Sequence, residues 1–307
     1  MRSGRNKQAA LCIALMALFL LSACGSHTGL AGTSSTQGSN TISVVAAENF
    51  YGSIVRQIGG KHVSVTSMLA DPNVDPHSYE SNVDQVKAVA RAQLVIANGG
   101  GYDDWMDKLL SSTPSSERKV IKGFDVAPNK LPDNEHVWYS PDNAKNIASA
   151  IADTLKTLDT AHAAEYAQNL IIFERELSKI NQKMDEIRSK YANAPVGLTE
   201  TILRYQTGPM GLRVLTPDEF QKALAEGNDP PANTVITAEN QINQRQIKVF
   251  IYNQQTQSAI TTKLMSDARA RNIPVVPVTE TMPPDQTYQS WMLTQLEKVE
   301  QALASNK

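Results

Sequence analysis

The sequence predicts an α/β protein of two lobes, each with a mainly parallel sheet flanked by helices, joined by one long rigid α-helix. Three features carry that reading. Short apolar runs alternate with amphipathic helical stretches over residues 42–159, the pattern of a parallel sheet with helices on its faces. The same alternation returns over residues 194–307, as a repeat of architecture without a repeat of sequence. Between them Tyr166, Leu170, Phe173, Leu177, Ile180, Met184, Ile187 and Tyr191 recur at alternating steps of four and three, one apolar stripe on a helix. At about 1.5 Å per residue, a helix of roughly 30 residues over 160–193 makes a rod of about 45 Å.

The first 41 residues read as targeting and tether. Arg2, Arg5 and Lys7 precede a 13-residue apolar run at 9–21, too short to span a bilayer comfortably and suited to a secretory signal. Leu21-Ser22-Ala23-Cys24 resembles the lipobox of bacterial lipoproteins, which implies a signal peptide over 1–23 and lipid attachment at Cys24. Residues 24–41, rich in Gly, Ser and Thr, then form a flexible tether to an extracytoplasmic, membrane-anchored protein. Loss of Cys12 with the signal leaves no second cysteine for a disulfide. The same cleavage moves the net charge from −2 to about −5, and no basic groove for nucleic acid is present.

Within the first lobe (42–159), ISVVAA at 42–47 is a buried strand, and the helix after it closes at Gly59-Gly60. Residues 62–69 alternate as a strand, DPNVDPHSYE at 71–80 is a loop, and Ser81 is expected to cap a helix over 82–92. A strand at 93–97 runs into Asn98-Gly99-Gly100-Gly101, read as a tight turn into the helix at 103–110, because G-x-G-x-x-G is absent in a usable frame. A strand at 120–124 and a loop follow, and Ser140-Pro141 starts a helix to about residue 158. In the second lobe (194–307), strands are expected at 194–199, 213–215, 247–252 and 273–278, with helices between them and a closing helix at 288–304. The polar run 240–246 is read as an exposed helix face, and His62 and His162 as surface residues.

Ligands of such sheets sit beyond the carboxyl ends of the strands. His77, His136, Glu200 and Glu280 share that kind of position, separated by 59, 64 and 80 residues. Two imidazoles and two carboxylates suit Zn²⁺, Mn²⁺ or Fe²⁺. No H-E-x-x-H pair, Walker A sequence or G-x-S-x-G elbow is present, so no enzyme is expected.

The local motifs sharpen this. Asp75-Pro76-His77-Ser78-Tyr79-Glu80 resembles the D-P-H-x-Y-E signature of the metal-specific solute-binding proteins of ABC importers, and His136-Val137-Trp138-Tyr139-Ser140-Pro141 resembles their H-V-W-x-x-P segment. Thr199-Glu200 and Thr279-Glu280-Thr281 are similar to the third and fourth ligand segments. The resemblance implies two lobes bridged by one helix and metal ligands at His77, His136, Glu200 and Glu280. It further implies a divalent zinc or manganese ion as cargo, with iron open, handed by a monomer to a membrane permease with its ATPase. Glu280 stands where the family usually carries Asp, and Asp285 is a rival within reach. The acidic, histidine-rich loop of many zinc-specific members is missing, which leaves zinc and manganese undivided. The alternative is a binding protein for a metal chelate such as a siderophore or a corrin, which needs an open cleft with aromatic or arginine contacts.

Overall fold

The computed structural model describes residues 41–71, 74, 79 and 81–305. Two four-stranded parallel sheets organise it. The first contains β1 (Ile42–Glu48), β2 (Val63–Leu69), β3 (Leu94–Ala97) and β4 (Lys119–Lys122) in the order β2-β1-β3-β4. The second contains β5 (Pro195–Leu198), β6 (Arg213–Val214), β7 (Val249–Asn253) and β8 (Val275–Val278) in the order β6-β5-β7-β8.

The central strands are buried on both faces, and neighbouring residues serve different cores because side chains alternate across a strand. Val44 and Ala46 of β1 and Leu94 and Ile96 of β3 face a core that continues through both lobes. Val45, Ala47, Val95 and Ala97 face a separate core on the outer side. There α2 (Val83–Arg91) contributes Val89, and α3 (Asp104–Ser112) contributes Trp105, Met106 and Leu109. In the second sheet Val249 and Ile251 join the shared core, whereas Phe250 joins an outer core. That outer core is covered by α8 (Asp218–Ala225), α9 (Ala232–Asn243) and α10 (Ala259–Ala270). Burying an aliphatic side chain of this size is worth about 1.5–3 kcal/mol, so a strand with two buried faces needs the near-continuous apolar run it has.

Three further helices close the shared core: α1 (Asn49–Gly59), α5 (Pro141–Leu158) and α11 (Tyr288–Ser305). All three pack on the long helix α6 (Ala163–Tyr191). Its buried residues are Tyr166, Phe173, Leu177, Ile180, Met184 and Ile187, six of the eight stripe residues, while Leu170 and Tyr191 are partly buried against the same core. A 3-10 turn, Thr160–His162, leads into it.

Local chemistry sets the element ends. Gly60 ends α1 at a φ of 55°, a conformation that costs glycine nothing. Asn82, not Ser81, caps α2: its side chain accepts from the N–H groups of Asp84 and Gln85, and the Gln85 amide oxygen accepts from the Asn82 N–H. That reciprocal pair satisfies two helix donors that Ser81, one residue earlier, does not reach. Ser140 caps α5 by accepting from the Asn143 N–H. The run at 240–246 is not wholly exposed: Gln241 and Ile242 are buried, and the Gln241 amide donates to the Leu215 carbonyl at 2.7 Å. His62 is also buried, under the ring of His162 and against Glu165. Among the described residues, no helix is long and apolar enough to cross a membrane.

Candidate metal centre

His136 lies between the short helix α4 (Gly123–Val126) and the 3-10 turn Val137–Tyr139. The turn drives Trp138 into the core, stacked on Phe50 at 4.6 Å. Trp138 and Tyr102 then present their rings to the His136 imidazole at 5.2 and 5.9 Å. Packing fixes the plane of the imidazole, and hydrogen bonding fixes its tautomer. Nδ1 lies 3.0 Å from the Asn134 amide oxygen and 3.3 Å from the Thr201 hydroxyl. An amide oxygen can only accept, so Nδ1 carries the proton and Nε2 keeps its lone pair. This is the arrangement metal-binding histidines use. Nε2 is buried and makes no hydrogen bond among the described residues.

Glu280 Oε2 stands 3.8 Å from that nitrogen, and both side chains have no solvent exposure. One ion bound about 2.0–2.2 Å from each donor spans such a separation. Glu280 follows β8 by two residues, as Glu200 follows β5, so each carboxylate stands at the carboxyl end of a second-lobe strand. Asn253, the last residue of β7, lies between them. Its amide donates to Glu200 Oε2 at 2.8 Å and to Glu280 Oε1, and the Thr256 hydroxyl donates to Glu200 Oε1. Two carboxylates on one buried amide concentrate negative charge where water is excluded, a setting that suits a bound cation.

The structure thus brings together His136, Glu200 and Glu280. His77 and Cys24 lie outside the described residues. Val74, three residues before His77 in the chain, is tied to the same place, since the Gln255 amide donates to its carbonyl at 3.0 Å. The Gln255 amide oxygen in turn accepts from the backbone N–H groups of Glu280 at 2.7 Å and Thr281 at 3.0 Å. Asp285 is exposed, in a left-handed turn at a φ of 61°.

Electrostatics at the centre favours cations. Burial pulls the His136 pKa down, but the charge of Glu135 and the nearby Glu280 carboxylate together outweigh it, and the net shift is upward. Glu48, at the end of β1, is fully buried. Burial first, and the charge of Asp103 second, push its pKa well above the ordinary value for a glutamate. Asp103 accepts from the N–H groups of Asn98 and Gly99, both at 2.6 Å, which makes Asn98–Gly101 a turn rather than a phosphate loop. The Asn98 amide then braces the Glu135 carbonyl beside His136 at 3.0 Å.

Sequence reasoning passed over Asn134, Asn253, Thr256 and Glu48. Asn253 and Glu48 end strands, and the strand-end rule that singled out Glu200 reaches both. Nothing local marks Asn134 or Thr256, whose roles exist only through contacts across the fold. A cavity of about 520 Å³ adjoins the centre, lined by Asn134, Thr201, Leu131, Arg204 and Lys222 among others. His136, Glu200 and Glu280 are at most 1 % exposed. An organic chelate would find little of these three side chains to dock against, so the chelate alternative is not favoured.

Comparison with known proteins identifies the family. The family model described as ZnuA, zinc-uptake complex component A periplasmic, matches residues 44–302. The metal ABC transporter substrate-binding lipoprotein ScbA of Streptococcus cristatus is 29% identical over 198 residues, 60% of this chain and 61% of its own length. The manganese ABC transporter substrate-binding lipoprotein scaA of Streptococcus gordonii is 28% identical over 198 residues, with the same coverage of 60% and 61%. The chain therefore matches about three fifths of the length of these relatives. The periplasmic zinc binding protein TroA of Treponema pallidum shares the fold with a TM-score of 0.73 at 17% identity, over 85% of this chain and 98% of that one.

Proposed function

We propose that this chain, which belongs to the ZnuA family of periplasmic zinc-uptake components, captures a divalent zinc or manganese ion outside the cytoplasm and delivers it to an ABC-type importer. The ion is the cargo, held by His77 and His136 from the first lobe and Glu200 and Glu280 from the second. The observation that carries this reading is the buried meeting of His136 Nε2 with Glu280, beside a Glu200 held on the same Asn253 amide. Neutral imidazole and ionised carboxylate fit both zinc and manganese.

Capture involves little lobe motion. The Asn49 side chain donates to the Met282 carbonyl at 2.6 Å and accepts from its N–H at 2.9 Å. The Tyr139 hydroxyl donates to the Thr279 carbonyl at 2.6 Å, and the Tyr205 hydroxyl to the Asn134 carbonyl at 3.0 Å. These buried bonds, with α6 running along the shared core, hold the lobes at one setting. Release to the permease then works by a local loop shift on docking rather than by hinge opening. In this reading residues 1–23 are removed, Cys24 carries lipid and 24–41 tether the protein to the membrane. Residues 42–159 and 194–307 are the lobes, 160–193 the bridge, and a monomer serves the permease and its ATPase.

Metal titration of the protein purified from membranes tests the assignment. His77→Ala and His136→Ala are each expected to lose more affinity than the about 10–100-fold typical of an outer-shell change. Wild-type affinity in either variant removes that residue from the ligand set.

A further inference from the structure

A second group of metal-type donors lies where the first lobe meets the start of α6. Nε2 of His62 is 2.9 Å from Glu165 Oε2. The His162 ring stacks on His62 with centroids 3.7 Å apart. One donor atom from each of His62, His162 and Glu165 lies within 4.8 Å of the others, and these three residues form such a group among the described residues. We propose that they bind a divalent transition-metal ion of the zinc class, at a site separate from the inter-lobe centre and independent of its assignment.

The surroundings are those of a ligand set. Asp159 Oδ2 lies 2.7 Å from His162 Nδ1 and accepts from the Tyr166 hydroxyl at 2.7 Å. A carboxylate on Nδ1 leaves Nε2 as the donor and raises its basicity, as in carboxylate–histidine–zinc triads. The same bonds, with Tyr166 first, hold the Asp159 carboxyl below its usual range, so it remains an anion. His62 is nearly closed off, with a side chain 9 % exposed, whereas Glu165 at 53 % and His162 at 40 % open to solvent. One buried ring thus forms the floor, and two accessible donors form the mouth through which an ion enters. Two imidazoles, one carboxylate and a water complete four-coordinate zinc.

Two features oppose the ion and set its rank. The donors lie at the positive end of the α6 dipole, and Lys61 acts on Glu165. Parallel stacked rings also cannot both aim their in-plane lone pairs at one ion, so binding must unstack them. His162, half-exposed, lies in the 3-10 turn before α6. The site is therefore weaker than a fully buried one. Once filled, it would clamp the end of α1 to the base of α6, where the Asn169 amide already donates to the Ile58 carbonyl at 2.9 Å.

The test is Zn²⁺ and Co²⁺ titration of the membrane-purified protein, its His162→Ala variant and its His136→Ala variant, with circular dichroism confirming the folds. Wild type is expected to bind two equivalents, and the weaker one is lost in His162→Ala but kept in His136→Ala. Asp159→Asn is expected to weaken that equivalent about 10–100-fold and to shift its Co²⁺ absorption. Wild-type stoichiometry and affinities retained in His162→Ala overturn the proposal. Failure of the inter-lobe assignment is distinguishable, because it would leave His136→Ala unaltered while His162→Ala still lost one equivalent.

Discussion

The two lobes have the same strand order yet equip the centre differently. Each sheet runs second, first, third, fourth in chain order. The second lobe supplies carboxylates directly from strand ends, and a strand-end amide, Asn253, locks both. The first lobe supplies His136 from a loop, held by the aromatic packing of Trp138 and by Asn134. The difference teaches that one half is rigid because backbone pairing places it, and the other because side chains pack around it.

The sharpest way to break the contrast is at Trp138. Trp138→Ala should destabilise by about 3–5 kcal/mol and misplace His136 as well, measured by denaturant unfolding and metal titration on one sample. Glu280→Ala should weaken zinc or manganese binding more than about 100-fold, beyond the range of an outer-shell change, with unfolding in the absence of metal altered far less. Asn253→Ala should cost about 10–100-fold in affinity, because it frees both carboxylates at once. If Asn134→Ala costs more than Asn253→Ala, the rigid half has been misidentified.

Acid tests the imidazole side of the contrast. The raised pKa of His136 means that protons compete for its nitrogen at a higher pH than for an ordinary histidine. Affinity should fall about tenfold per pH unit for each imidazole protonated. Calorimetry from pH 8 to pH 5 checks the slope, and a flat profile would remove the imidazole from the ligand set. The smallest effect is expected at Glu300, which joins α11 to α6 through Lys190 at 2.6 Å and Lys183 at 3.2 Å. Lys190, then Lys183, lower its pKa, so its contribution is present at neutral pH and lost as pH falls through that lowered value. Glu300→Gln should cost less than about 1 kcal/mol in thermal unfolding.

Much of this was legible in the residues. The stripe from Tyr166 to Ile187 declares α6 because it is local and periodic. Glu200 and Glu280 could be singled out because the carboxyl ends of parallel strands face ligands. The burial of His62 was not legible, since the partners that cover it, His162 and Glu165, lie around the start of α6, about a hundred residues later. Gln255 also looked like one more polar loop residue, although its side chain joins Val74, Glu280 and Thr281.

By itself, then, the sequence determined the class of fold, the bridging helix and the residue types able to hold a divalent cation, because periodicity and strand-end position are properties of short stretches. Only the tertiary structure decided which donors meet, the tautomer of His136 and the joint grip of Asn253 on two acids. Those depend on distances between segments far apart in the chain, which packing sets and local pattern does not encode.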